Sequence, residues 1–591
     1  MQPASTAGTG GGGSRQMKRW GPIVGVAAVV AIGGGVLLIT SGGDDDKTTT
    51  TTPSSAAATT TVAASTDVSQ PPTSDTTPAA AIEYPLSFSQ ATELGVADQV
   101  EWGDRCDTET GRIAVPDYFA PECYAPFTGD NGGATAPQGV TADEITVVYY
   151  EGLEGDPIIA YVTDAIAVKD TNQQQFESMK QIVKYYETHY ELYGRKINLI
   201  TYEGTGLSTD EVSARADAAR IAAEYKPFAV LGGPALTSAF ADEITANKIL
   251  CVSCGPGQND QFYVDRDPFM WALDGSASQK RSHVVEFIGK QLVGKNAEHA
   301  GDAFKDTPRK FGLLYLESSG ASKELADLYA AEMDAAGAPF DQVVAYALDP
   351  ATIQATASQV ITKMKAAGVT TIVFSGDPVA PREFTKEATA QEYFPEWVVA
   401  ASTLVDVNAF ARTYDQAQWA HAFGVTSLAA KTDSSKIGYY SLYEWFNGEP
   451  PPAPDTIGVY QPSAALFFAV LQGTGPDLSA ETWRDALFAS VGTTPGITAP
   501  YLSYGDKGYW PGVDHHGIDD ATVFWWDPAA VGKDEIRREG VGMYQFVDGG
   551  KRYLPGAWPT EEKLFNPDGA VAIYTTPPPG EEPKQYPSPA G

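Results

Sequence analysis

Cysteine is nearly absent from this chain, with four in 591 residues: Cys106, Cys123, Cys251 and Cys254. No histidine stands near any of them in sequence, which leaves a Cys/His zinc site without ligands. Basic residues are also scarce, 40 Lys and Arg against 75 Asp and Glu, for a net charge of −35. Such a surface excludes nucleic acid as a partner, because phosphate contacts need clustered cations. The motifs of covalent chemistry are missing too. There is no Gly-x-Ser-x-Gly elbow and no His-Glu-x-x-His. Gly255-Pro256-Gly257 lacks the third glycine and the helix of a dinucleotide fingerprint. Histidine is rare, and its one dense grouping with acids is Asp514-His515-His516-Gly517-Ile518-Asp519-Asp520. Adjacent histidines point apart on an extended chain, and acidic loops are ordinary in an acidic protein, so no metal is expected there. The chain reads as a binder without catalytic residues, metal or cofactor.

What is present begins with a membrane signal. Arg15, Lys18 and Arg19 precede an uncharged run at 21–43, and Asp44, Asp45 and Asp46 follow it. The charge order puts residues 1–20 in the cytoplasm and the rest outside, with 21–43 as a single-pass anchor in the cell membrane. A cleaved signal peptide competes with this reading, but the run is longer than a usual h-region and no A-x-A site ends it. No cysteine follows, so a lipid-modified cysteine is not the anchor. Gly21-x-x-x-Gly25 carries little weight as a helix-pairing face. Residues 44–83 are Thr-, Ser- and Pro-rich and form a disordered linker outside the membrane, open to O-glycosylation. All four cysteines lie on the exported side, where disulfides are the default. Three pairings are possible, and Cys106–Cys123 with Cys251–Cys254 is the simplest. A redox role for Cys251-Val-Ser-Cys254 is disfavoured because its first cysteine sits inside a strand rather than at a helix start.

The chain is organised around residues 145–255. Apolar runs at 145–150, 197–202, 228–231 and 249–252 alternate with segments of helical spacing. Phe176, Met179, Ile182, Val183 and Tyr186 mark one helix. Ser208-Thr-Asp-Glu211 reads as a capping box opening another, with Val212, Ala216, Ala219 and Ala223 on one face. Short apolar strands alternating with helices mean a parallel sheet covered on both sides, with ligands bound beyond the carboxyl ends of the strands. Those ends carry Tyr150 and Glu151, then Gly232 to Ser238, then Ser253, Cys254 and Gly255.

The pattern restarts after residue 276, with strands at 311–316, 343–348, 371–374 and 397–400. Leu325, Leu328, Tyr329 and Met333 mark the helix after the first of them. The expected fold class is therefore α/β, two doubly wound lobes joined by a hinge. Residues 84–140 form an irregular disulfide-pinned preamble, 141–275 lobe 1 and 276–425 lobe 2. Residues 426–575 complete the lobes and hinge with helices and aromatic-rich strands, in part returning to lobe 1. Residues 576–591 are read as a disordered tail. Two like lobes in series suggest a cleft that closes on ligand.

The phrases NGGATAPQGVTADEITVV, KPFAVLGGPALTSAFADEITANKILCVSCG, KFGLLYLESS, AAGVTTIVFSGDP and YQPSAALFFAVLQGTG resemble the type I periplasmic solute-binding proteins. The likeness is to the branched-chain amino acid and amide group that serves ABC importers, in its actinobacterial form. It runs from about residue 131 to 475. It implies a small-molecule ligand held between the lobes and an ABC permease as partner. It assigns ligand contacts to Ala235, Thr237, Ser238, Ser253, Cys254 and Gly255 of the first lobe. In the second it assigns them to Ser318, Ser319, Asp377, Ser402 and Thr403. A carboxylate in a half-dry cleft wants such neutral donors and a helix N-terminus. The bland alternative is that Thr237 and Ser238 only cap a helix. A second functional reading keeps the fold and makes the protein a cell-envelope scaffold or sensor with a degenerate cleft.

Overall fold

The computed structural model describes residues 83–591 except 134–135, 256, 318–319, 403 and 494–495. The cytoplasmic tail, the anchor and nearly all of the linker therefore lie outside the described residues. Among the described residues no helix is long and apolar enough to cross a membrane.

The preamble is folded onto the first lobe. Cys106–Asp107 (β1) pairs antiparallel with Arg112–Ile113 (β2), and the Cys106–Cys123 disulfide closes the segment over Leu86, Trp102 and Ala125. Arg105 forms an ion pair with Glu191, and Arg195 donates to the carbonyls of Thr141 and Pro476, both at 2.9 Å.

Five parallel strands make the first sheet: Glu144–Glu151 (β3), Lys196–Glu203 (β4), Ala229–Leu231 (β5), Leu250–Val252 (β6) and Met270–Trp271 (β7). Their spatial order is β4-β3-β5-β6-β7. The short central strands β5 and β6 are apolar throughout because helices cover both faces. The helix Asn172–His189 and the later helices Tyr439–Asn447, Ile457–Thr474 and Ala480–Ala489 pack one face; Glu211–Glu224 and Ala239–Ala246 pack the other.

The helix Glu211–Glu224 departs from its sequence reading. Asp210 is its cap, accepting from the N–H groups of Val212 and Ser213, and Ser208 lies before it. Val212 is exposed, and the buried face is Ala214, Asp217, Ala218 and Ile221. The reason is Asp217, whose carboxylate accepts from Tyr202, from Thr205 N–H and from the Thr205 hydroxyl at 2.7–2.8 Å. An acid satisfied by three donors takes a core position that hydropathy assigns elsewhere.

The second sheet begins with the same winding. Phe311–Leu316 (β8), Phe340–Tyr346 (β9), Thr371–Ser375 (β10), Glu396–Ala400 (β11) and Ala422–Thr426 (β12) are parallel in the order β9-β8-β10-β11-β12. Lys431–Thr432 (β13) follows β12. Beyond β12 the sheet turns antiparallel through Ala521–Lys533 (β14) and Glu539–Phe546 (β15), with Arg552–Tyr553 (β16) beside β14. Ile573–Tyr574 (β17) pairs with β13. The fold is the α/β arrangement expected, but this sheet is mixed. The aromatic segment does not simply return to the hinge side. Phe524, Trp526, Tyr544 and Phe546 fill one face of the sheet, Val523 and Trp525 the other.

Three segments, 272–276, 427–438 and 514–521, run between the sheets. The first and third lie side by side, with Ala272 N–H donating to His515 O at 3.2 Å and Ile518 N–H to Leu273 O at 3.0 Å. Ser427 of the second reaches Asp274 of the first at 3.1 Å. The final segment, expected to be disordered, is instead held along the first lobe. Trp445 Nε1 donates to Tyr586 O at 3.0 Å, and Lys584 and Tyr586 both bind Asp107 at 2.7–2.8 Å. Its prolines prevent helix but not a strap fixed by side chains.

Candidate functional site

The carboxyl ends of β10 and β11 open onto a cavity between the helices Ala277–Phe287 and Gly320–Ala335. Gly257, from the loop after β6, brings the first lobe to its wall. Sheet geometry dictates this position. Parallel strands all end on one edge, and the chain must leave each end in a loop that exposes backbone groups.

Ser402 lies at the end of β11. Its hydroxyl donates to Phe374 O at 2.9 Å and accepts from Gly376 N–H at 3.3 Å, tying the two strand ends together. A side chain at Gly376 would stand 2.1 Å from the Tyr346 hydroxyl, so only glycine allows this turn. Arg281 forms a two-pronged pair with Glu332 at 2.7 and 2.8 Å, and Lys280 pairs with Asp274 at the first crossing. Both cations line the cavity, as does Tyr329. Tyr329 is 6% exposed, and its hydroxyl has no hydrogen-bond partner. Burial pushes that phenol well above its ordinary range, with the Arg281 charge acting in the opposite direction. It is a neutral donor without an acceptor.

The other residues singled out from the sequence are placed as follows. Tyr150 packs between Tyr202 and Phe240 in the first-lobe core. Glu151 is half-buried at the end of β3; burial pushes its carboxyl up to about 7, and a bond from Tyr149 opposes the shift. Thr237 Oγ1 accepts from Ala239 N–H at 3.1 Å at the start of a helix, Ser238 is buried beside it, and Ala235 is half-buried. Cys254 is fully buried in a disulfide with Cys251. Gly255 O accepts from Tyr263 at 2.8 Å, and Ser253 is half-buried in a left-handed backbone conformation. Asp377 accepts from Tyr346 at 2.6 Å and from Val379 and Ala380 N–H at 2.8 and 2.9 Å, which caps the helix Ala380–Ala390. Burial pushes its carboxyl up. Ser318, Ser319 and Thr403 lie outside the described residues. Of the expected ligand contacts, Ser402 is on the cavity wall.

Sequence reasoning missed Lys280, Arg281 and Tyr329. Two adjacent cations in an acidic chain, one turn into a helix that follows a crossing, were the available signal for the first two. Tyr329 gave none, since spacing counts it with the apolar face of its helix.

A second cavity lies where 427–438 meets β14 and the helix Ile457–Thr474. Its charges satisfy one another: Lys431 with Glu535 at 2.6 Å, Lys533 with Asp433 at 3.1 Å and Arg537 with Asp455 at 2.9 Å.

The Asp514–Asp520 cluster is buried along the third crossing. His515 Nε2 lies 2.9 Å from Asp267 Oδ1, His516 Nδ1 lies 3.4 Å from Asp514, and Asp519 accepts from Trp510 at 2.8 Å. No group of three or more His, Cys, Asp or Glu among the described residues is placed to hold a metal ion.

Residues 163–532 match the family model of the periplasmic binding proteins. The chain belongs to that family. The resemblance read from the sequence is thereby shown. Similar solved structures include the branched-chain amino acid transporter substrate-binding protein LivJ from Streptococcus pneumoniae in complex with isoleucine. It is 13% identical, with a TM-score of 0.46 over 68% of this chain and 100% of that one. A Rhodopseudomonas palustris BisB5 ABC-transporter solute-binding protein with 3,4-dihydroxybenzoic acid is 12% identical, at 0.46 over 70% and 98%. The Brucella ovis leucine-, isoleucine-, valine-, threonine- and alanine-binding protein, in a closed conformation, is 12% identical, at 0.47 over 72% and 100%. No curated protein matches this binding protein.

Proposed function

We propose that the chain is an extracytoplasmic solute-binding protein, tethered to the cell membrane by residues 21–43, which closes on a small amphiphilic molecule and passes it to an ABC importer. Amino acids and amides are the first class to test. The observation that carries the reading is the cavity at the ends of β10 and β11, with walls from both lobes. Family membership supports it. Binding needs no covalent step: the walls exclude water, which strengthens each hydrogen bond to the guest, and the crossings let the lobes approach. Isothermal titration of the purified chain against amino acids and amides, with small-angle scattering in parallel, is the test. Saturable binding with compaction is the expected result; neither one occurring would sink the reading.

A second reading, a cell-envelope scaffold or sensor with a degenerate cleft, draws on a different observation. Several first-lobe groups assigned to ligand are already engaged internally, Gly255 O by Tyr263 and Thr237 by its helix. Affinity capture from membranes separates the two: permease subunits favour transport, envelope-assembly proteins favour the scaffold.

A further inference from the structure

We propose that the helix Pro157–Ala165 and the turn 534–538 form a clasp between the lobes, made as they close, with Tyr161, Val162, Arg537, Arg538 and Asp455 as its positioning residues. None of the five lines the cavity at the ends of β10 and β11. Part of the free energy of closing then comes from contacts that touch no guest in that cavity.

The helix leaves the carboxyl end of β3 and is rooted in the first lobe. Asp156 caps it, accepting from Ile158 and Ile159 N–H at 2.8 and 3.2 Å, and also accepts from Ser208 N–H at 2.5 Å. Its apolar side chains serve the other lobe. Tyr161, Val162 and Ala165, with Ile166 just beyond, pack against the second-lobe core that contains Phe374, Phe384 and Tyr414. Burial raises the Tyr161 phenol, and the charges of Arg382, Glu383 and Asp377 act on it, which sets its ring near the start of the helix Ala380–Ala390. No residue of the helix Pro157–Ala165 is fully buried. Half-covered apolar contact of this kind is what two bodies make when they can meet and part, whereas a core element is sealed.

Charge closes the same seam. Arg537 and Arg538, in the turn between β14 and β15, both pair with Asp455 of the first lobe, at 2.9 and 2.7 Å. The N–H groups of Asp455 and Thr456 donate to Asp170 at 2.8 Å, which anchors the acid to the loop after the helix. Arg538 reaches that loop too, donating to Ile166 O and, at 3.1 Å, to Ala167 O. Val168, Ala409 and Ile536 complete the contact. All of these lie outside the segments 272–276, 427–438 and 514–521, so the clasp is made by side chains across the gap and not by the connections. A guest that binds the closed form has an apparent affinity scaled by the fraction of molecules already closed, and the clasp raises that fraction.

Interlobe distances in the ligand-free full chain, purified in detergent, test the clasp. Nitroxide labels go on Val212→Cys and Leu328→Cys, exposed positions of the first and second lobes; the four native cysteines are held in disulfides and take no label. Pulsed dipolar spectroscopy should show a short-distance population beside a longer one. Arg537→Met combined with Arg538→Met should move the closed-to-open ratio about tenfold toward the longer distance, as should Tyr161→Ser combined with Val162→Ser, each with the wild-type far-UV dichroism. Raising salt to about 1 M should lengthen the mean distance in the labelled parent and leave the arginine variant unchanged, because screening acts on the ion pairs. A distance distribution in either variant equal to that of the labelled parent overturns the proposal, and so does a parent that shows the longer distance alone. Neither outcome bears on solute binding, which titration decides separately.

Discussion

Arg309 and Glu396 form an ion pair with side-chain exposures of 1% and 0%, joined by two bonds of 2.8 and 2.9 Å. Thr371 Oγ1 adds a third donor to Glu396 at 2.6 Å. Removing the cation alone strands a buried carboxylate, so Arg309→Met should cost about 3–5 kcal/mol, read as a lowered thermal midpoint. The double change Arg309→Met, Glu396→Leu should recover much of the loss, because no charge then remains without a partner. Asp519 gives a second prediction at this scale. Burial beside Asp514 raises its carboxyl to about 8 from an ordinary 3.8, against the pull of Ser503 and Trp510. The folded chain thus holds a proton that the unfolded chain has released over that interval. Stability from this group is complete below about 4 and is lost as pH rises through about 8. Asp520, Lys507 and His283 also face the site. Asp519→Asn should flatten the wild-type decline of thermal midpoint with pH; an equal slope in both proteins would refute the assignment.

The turn after β5 and the turn after β6 are packed so closely that a side chain at Gly233 would stand 2.7 Å from Cys254 O and 3.1 Å from its Cα. Both neighbours are backbone and the second turn is closed by a disulfide, so neither can retreat. Gly233→Ala should therefore lower stability by about 1–3 kcal/mol, measured by thermal melting. Elements of this kind were legible wherever an apolar run ended in a small-residue turn. β5, β6, β10 and β11 follow directly from such runs, and Ser402 was legible as a strand-end hydroxyl. Two kinds of information were hidden. Asp217 on a helix and the aromatic face of β14 depend on partners a dozen or more residues away, which periodicity does not see. Tyr329 is a case of the same blindness on the cavity wall: its ring obeys the helical pattern, and the pattern ignores its unpartnered hydroxyl.

Across the whole molecule, relative motion of the sheets has to pass through 272–276, 427–438 and 514–521. The first and third are paired side by side, and Ser427 ties the second to the first. Three coupled connections favour rotation about one axis over free swinging. A saturating ligand found by titration should lower the radius of gyration of the wild type in small-angle scattering, and an unchanged radius would count against closure through these connections. The strap formed by Lys584 and Tyr586 has a practical corollary. It fixes the carboxyl end to Asp107, in a preamble that is itself bound to the first lobe. Dyes attached at the two ends of the folded region would ride on one body and keep a constant separation at every stage of the cycle. A fluorescent sensor made from this protein must instead span the bodies, for which the exposed positions Val212 and Val531 are suited.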